Sequence, residues 1–475
     1  MRDSTAAAIA TNRFGLGARP GELAGCAGDP RGWLEAQLKG PPPRIPDPAL
    51  PSTATMVATI ERLRAQSRRL PAGNPATAAS EATPSGKALP DPVLKLGEIL
   101  RPAYVDEVAA RLRLATSTDR PFLERLTQFW SNHFAVSVDK AIVLGVAGSY
   151  EREAIRPNVL GSFRDLLMAV ERHPAMLLYL DNFRSVGPDS TLAVRAQERT
   201  GTVLGINENL AREIMELHTL GVDGGYIQAD VTAFAKVLTG WSIGPPGRAG
   251  QGGGVPGEFL FRPDLHEPGI RTVLGRRYAQ AGIGQGQSVL ADLARHPATA
   301  RHIATRLARH FIADEPPPGS VDTLARVFAR SDGDLPAVYR ALIAEAAAWS
   351  QPLTKFKTPN DYVISAWRAL DLPVGEPLTV PPVFAGQGQR VWSPDSPAGW
   401  PDRSADWDGA SALMQRLRWA DAIGQRVGAT VDAVRLAPQI LGGTLADSTR
   451  DALARAASAA QALTLLLVAP EFMRR

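Results

Sequence analysis

Apolar side chains recur at intervals of three and four residues along most of the 475 positions of this chain, a spacing that only an α-helix gathers onto one face. Segments 105–114, 122–134, 163–170, 204–220, 231–238, 298–312, 321–328, 335–347, 361–370, 410–427 and 449–467 all carry it. Each must bury its apolar stripe against neighbours, so the spacing predicts a mainly α fold, a multi-helix globular bundle. The exception is local. Segments 258–262 and 271–274 flank the turn-forming Glu267, Pro268 and Gly269 and predict a small β-hairpin.

Three stretches interrupt the rhythm. Segments 41–51 and 71–92 are rich in Pro, Ala and Ser, and 244–257 is crowded with Gly and Pro. They predict low-complexity insertions, or long Pro/Gly-rich loops, on a single elaborated helical domain spanning 1–475. The 52 basic residues nearly balance 48 acidic ones, for a net charge of +4, and the arginines are scattered among acids. That distribution excludes the clustered basic face of a nucleic-acid binder. Cys26 is the sole cysteine, which excludes an intrachain disulfide and a cysteine-rich metal site. The apolar run 462–469 falls far short of the roughly 18 to 20 residues that span a bilayer, so no transmembrane segment is predicted. Residues 1–17 lack the apolar core of a signal peptide, and the expectation is a cytoplasmic protein.

The best punctuated helix is 207–220. Asn207 can cap its first amides, Glu208 suits the positive end of its dipole, and Gly221 can take the left-handed conformation at its end. An advance of roughly 100° per residue puts Asn209, Glu213 and Glu216 on one stripe with Arg212 beside it, and directs His218 to the opposite side. Two carboxylates three residues apart repel when buried, so one titrates high unless a divalent metal or an arginine lies between them. The structural alternative pairs Arg212 with Glu216 and Glu213 with an arginine of a neighbouring helix.

Other polar groups sit in aromatic surroundings. Ser131, Asn132 and His133 interrupt Phe129, Trp130 and Phe134, and a buried imidazole there needs a hydrogen-bond partner. His133 is therefore a candidate base, a metal ligand or a donor to a carbonyl. Segment 386–407 combines Trp392, Trp400 and Trp407 with Pro and Gly, which predicts a loop pinned onto the core or a sugar-stacking platform. Lys355, Lys357 and Asn360 around Thr358 and Pro359 are candidate anion ligands at a helix start. His296, His302 and His310 are not spaced as a ligand row. No nucleophile elbow, phosphate-binding loop or His-Glu-x-x-His pair is present.

Taken in order, these blocks resemble the bacterial domain-of-unknown-function family 1800. The resemblance covers nearly the whole chain. It begins at 13–17, passes through 129–134 and 174–182, and is most specific at Asn207, Glu208, Asn209, Ala211, Arg212, Glu213, Met215, Glu216, Leu217 and His218. It continues at Leu238, Thr239, Gly240 and Trp241, at His266, and at Gly399, Trp400 and Pro401. Two departures stand out: Glu267 and Arg271 occupy positions where the family usually has Asp and Lys, and Ile227 one where a capping Thr is common. The resemblance implies a mostly helical bacterial protein without an agreed activity. Because many relatives carry export signals and are encoded beside a sulfatase-like family, it also implies a periplasmic or secreted setting and a sulfatase-like partner.

Two functional readings result. In the first, a hydrolase or metal-assisted enzyme uses Glu213, Glu216, Arg212 and His133 as catalytic groups, with Asn209, Trp130, Asn132 and Trp241 binding substrate. In the second, a non-catalytic scaffold or accessory protein uses the same residues as an ion-pair network that fixes helix register.

Overall fold

The computed structural model describes residues 2–45, 47–69, 91–244, 254–350 and 353–475. Most of the insertion expected at 71–92, and the centre of that expected at 244–257, lie outside them. The described residues form a mainly α protein with two small two-stranded antiparallel sheets. None of their helices is long and apolar enough to cross a membrane.

Most predicted helices are present, and the departures have local causes. Segment 204–220 begins its helix only at Asn209, and Ile214–His218 closes it as a π-helical turn. Segment 449–467 is two helices, Asp447–Ala454 and Ala459–Leu467, because the Ser458 hydroxyl accepts from the Gln461 amide at 3.1 Å and starts the second one afresh.

The predicted hairpin is corrected. Strand β1 (Trp241–Ile243) pairs with β2 (Phe259–Phe261), while β3 (Arg271–Val273) pairs with β4 (Arg276–Tyr278). Leu274 and Gly275 both hold positive φ, 50° and 72°, the geometry of a two-residue hairpin turn. The Leu274 amide also donates to Asp230 at 2.8 Å, so segment 271–274 folds on its own neighbour. A leucine does not advertise that conformation in sequence.

The larger core is built around Pro121–His133, a helix buried on nearly every side. Phe14, Phe122, Phe129 and Phe311 meet in it at centroid distances of 5.7 to 6.5 Å. A second cluster joins residues near both ends of the chain, among them Leu23, Tyr362, Ala420, Leu463 and Phe472. A helix buried all round cannot leave charges bare. Its Glu124 therefore takes Arg156 (2.5 and 3.0 Å), and its Arg125 takes Asp361 (3.0 Å). Burial alone would lower the Arg156 pKa, but Glu124 and Glu151 raise it above its ordinary value.

Removing one member of a buried pair strands its partner, which costs about 3–5 kcal/mol. Glu124→Gln leaves Arg156 its second partner, Glu151, and is expected to lower the unfolding free energy by about 1.5–3 kcal/mol, the worth of a hydrogen bond to a charged group. A urea titration of both proteins measures this, and an unchanged midpoint would contradict it.

Candidate functional site

The Asn207 carboxamide caps the Asn209 amide at 2.9 Å, and Gly221 holds φ 89°, as the sequence predicts. Asn209 itself is exposed. Arg212 donates to Glu208 at 3.1 Å and to Gln228 at 2.9 Å rather than to Glu216. Burial, with Glu216 close by, raises the Tyr226 pKa. Burial, with Glu216 adding repulsion, raises the Glu213 carboxyl pKa, as expected for the acid pair.

His218 closes the π turn. It is fully buried while Glu213 and Glu216 are half-buried, and its charge acts on Glu213 through space. The imidazole turns inward, with Nδ1 2.7 Å from Glu171 Oε1 and both side chains fully buried. The end of the π turn leaves carbonyls to be met. His133 Nε2 lies 3.1 Å from the His218 oxygen, and His302 Nε2 lies 3.0 Å from the Leu217 oxygen. Each imidazole donates, so His133 is placed as a carbonyl donor. Trp130 is fully buried with its indole donating to the Tyr339 hydroxyl at 2.6 Å, and Trp241 is fully buried against Phe259.

Asn132 belongs to a different place. It lines a cavity of about 90 Å³ between helices Pro121–His133, Pro297–Phe311 and Pro359–Leu370, closed by the 389–402 loop. The Asn132 carboxamide takes both backbone groups of Trp400, at 2.9 and 2.8 Å. This contact requires Gly399: its φ is 80°, and an added Cβ would lie 2.2 Å from the Asn132 carbonyl oxygen. The tryptophan-rich loop is pinned as one sequence reading expected. Trp392 donates to Glu151 (3.1 Å), Trp400 to the Arg390 carbonyl (3.2 Å) and Trp407 to the Pro401 carbonyl (3.0 Å).

Charge in the cavity wall is almost fully balanced. Arg111 and Arg156 face Glu151 and Glu124, while Arg125, Arg475 and Lys355 face Asp361, Asp402 and Asp314. Arg390 faces Asp139 at the exposed rim. The lysines expected to bind an anion are thus occupied: Lys355 by Asp314 at 2.8 Å, Lys357 by Ser365 at 3.1 Å and the Phe472 ring. Asn360 alone of that group lines the cavity.

Within this wall His310 Nδ1 lies 2.9 Å from Asp402 Oδ2. The carboxylate accepts, so Nδ1 carries the proton and Nε2 is an acceptor. That Nε2 is buried in the cavity wall and has no hydrogen-bond partner among the described residues. Burial, with Arg475 adding repulsion against the pull of Asp402, pushes the His310 pKa down to about 4. Burial would raise Asp402, but His310, Lys355 and Arg475 hold it well below the usual carboxylate range. Among the described residues no group of three or more His, Cys, Asp or Glu is arranged to hold a metal ion.

Blocks 129–134 and 399–401, far apart in sequence, meet at this cavity. A family model described as protein of unknown function, DUF1800, matches residues 9–474. The chain belongs to this family. Comparisons with curated proteins and with solved structures give no match. In this DUF1800 protein the His310–Asp402 pair was not readable from sequence, because 92 residues separate its members. The one available signal was an aspartate directly after the Gly-Trp-Pro turn.

Two outcomes are expected. Gly399→Ala forces alanine into left-handed backbone and against Asn132, and should cost about 2 kcal/mol or more in thermal melts. Stability should also fall with pH through the histidines. Burial lowers His133 well below 6.5, and takes His302 and His310 to about 4. Only the unfolded chain takes up those protons, so this stability is complete above pH 6.5 and lost between there and about 4. Urea midpoints flat from pH 7 to pH 4 would contradict the assignment.

Proposed function

We propose that the protein is an acid–base enzyme of hydrolytic type, with the cavity beside His310 as its site. The observation that carries this reading is the orphaned Nε2 of His310 on an imidazole whose Nδ1 is anchored by Asp402. A buried acceptor without a donor costs roughly 1–3 kcal/mol, and a group so placed is suited to take a proton from a bound molecule. Burial keeps the ring neutral at pH 7, the state that a base needs.

In a hydrolytic step, water would donate its proton to Nε2 as its oxygen attacks the electrophilic centre, and Asp402 would stabilise the imidazolium formed. The same proton would then pass to the leaving group. Asn132, through Trp400, holds the loop that walls the site. Glu213, its pKa raised by burial and Glu216, is a second acid–base candidate on a separate surface, with Glu216, Arg212 and Asn209 beside it.

His310→Asn keeps a donor for Asp402 and deletes Nε2. Against chromogenic phosphate, sulfate and carboxylate esters, the native chain should turn over at least one. The variant should lose on the order of 10² to 10⁴ in kcat/KM at unchanged melting temperature. Equal turnover by the variant, with loss in Glu213→Gln, would move the site to the 209–218 helix. No turnover of any ester by the native chain would favour a scaffold in which these ion pairs only fix helix packing.

A further inference from the structure

We infer that the cavity beside His310 receives a small oxyanion, held by the guanidinium of Arg306 and the amide of Gln128. The inference rests on the reading that this cavity is the working site, and it names the class of group that enters.

Arg306 is the charge left over when the wall is paired. It lines the cavity, is half-buried, and makes no hydrogen bond or ion pair among the described residues. Asp402 favours its charge through space but is already engaged by His310, Arg475 and Lys355. Every other arginine of the lining has a carboxylate partner. The cavity therefore carries one positive charge that no described residue pairs directly, and burial already lowers the Arg306 pKa. An anion would remove that cost.

A second observation points to the same ligand. Gln128 Oε1 accepts from the Asn360 side-chain amide at 2.9 Å, while its own Nε2 is buried in the cavity wall with no acceptor among the described residues. A free guanidinium fork and a free amide donor are both acceptor-seeking groups, and oxyanion oxygens are the acceptors that a guanidinium binds in pairs. A cation would find no open carboxylate here, since Asp361 and Asp402 are each shared between basic partners. The space of about 90 Å³ is several times the roughly 10 to 15 Å³ that one water needs. It suits a phosphoryl, sulfuryl or carboxylate group rather than a large ligand. A group bound there would lie in the cavity that His310 also lines, which relates the binding site to the proposed base.

Calorimetric titration of the full chain with inorganic phosphate, sulfate and acetate tests this. At least one should bind at millimolar Kd or tighter and raise the melting temperature, and comparing the three identifies the preferred group. Arg306→Gln should weaken binding by roughly tenfold or more, with Arg306→Lys between the two. Arg306 has no partner to strand, so its replacement should fold. Should it not, Gln128→Leu is read in the same way with Arg306 intact. His310→Asn should retain binding within about threefold. Absence of binding by all three anions at tens of millimolar, or equal affinity in Arg306→Gln, overturns the inference. Anion binding that survives while His310→Asn leaves turnover intact overturns only the catalytic reading. Loss of turnover in His310→Asn without any anion binding overturns only this one.

Discussion

Asp361 and Asp402 tie together, by charge, parts of the chain that are far apart in sequence. Asp361 lies between Arg125 (3.0 Å) and Arg475 (2.8 Å), and Asp402 between Arg475 (3.3 Å) and His310 (2.9 Å). Five segments of the chain are thus tied by a few largely buried charges. Buried pairs of this kind add little net stability relative to apolar packing, but losing one partner is costly. They act as a register device: any other docking of helices Pro121–His133, Pro297–Phe311 and Pro359–Leu370 leaves a bare charge.

The cavity is a consequence of that arrangement. Charged side chains paired across a gap do not interdigitate as aliphatic ones do, and the tryptophan-bearing loop roofs the space between them. It carries its own strain. Trp392 adopts φ 50°, a conformation that costs a bulky residue energy and that other contacts must enforce. Glu151 binds its indole and the Val138 amide binds its carbonyl. Gly399 lets the loop lie directly on the Asn132 backbone.

The 209–218 helix shows a different economy. Its π turn ends on His218, which meets Glu171, and leaves the Leu217 and His218 carbonyls to His302 and His133. Two of the imidazoles that a reader of the sequence would count as chemical candidates are thereby placed as donors. Among the described residues the Nε2 atoms of His218, His266 and His310 all lack a partner, but of the three only His310 lines the cavity.

Local features were legible in the sequence. The three-and-four spacing determined the α class. Asn207 and Gly221 determined their ends of a helix, and the 386–407 tryptophans a pinned loop. Each depends on neighbours within a turn or two, where geometry follows from residue identity. What only the tertiary structure decided was which polar groups remain unsatisfied. The π turn, the strand partners of 259–261 and 271–273, and the Asp402–His310 contact depend on packing between distant segments. Whether Arg306 or His310 Nε2 has a partner is set by subtracting every pair made elsewhere. Satisfaction of charge and hydrogen bonds is a property of the whole packed interior, and no local window of sequence contains it.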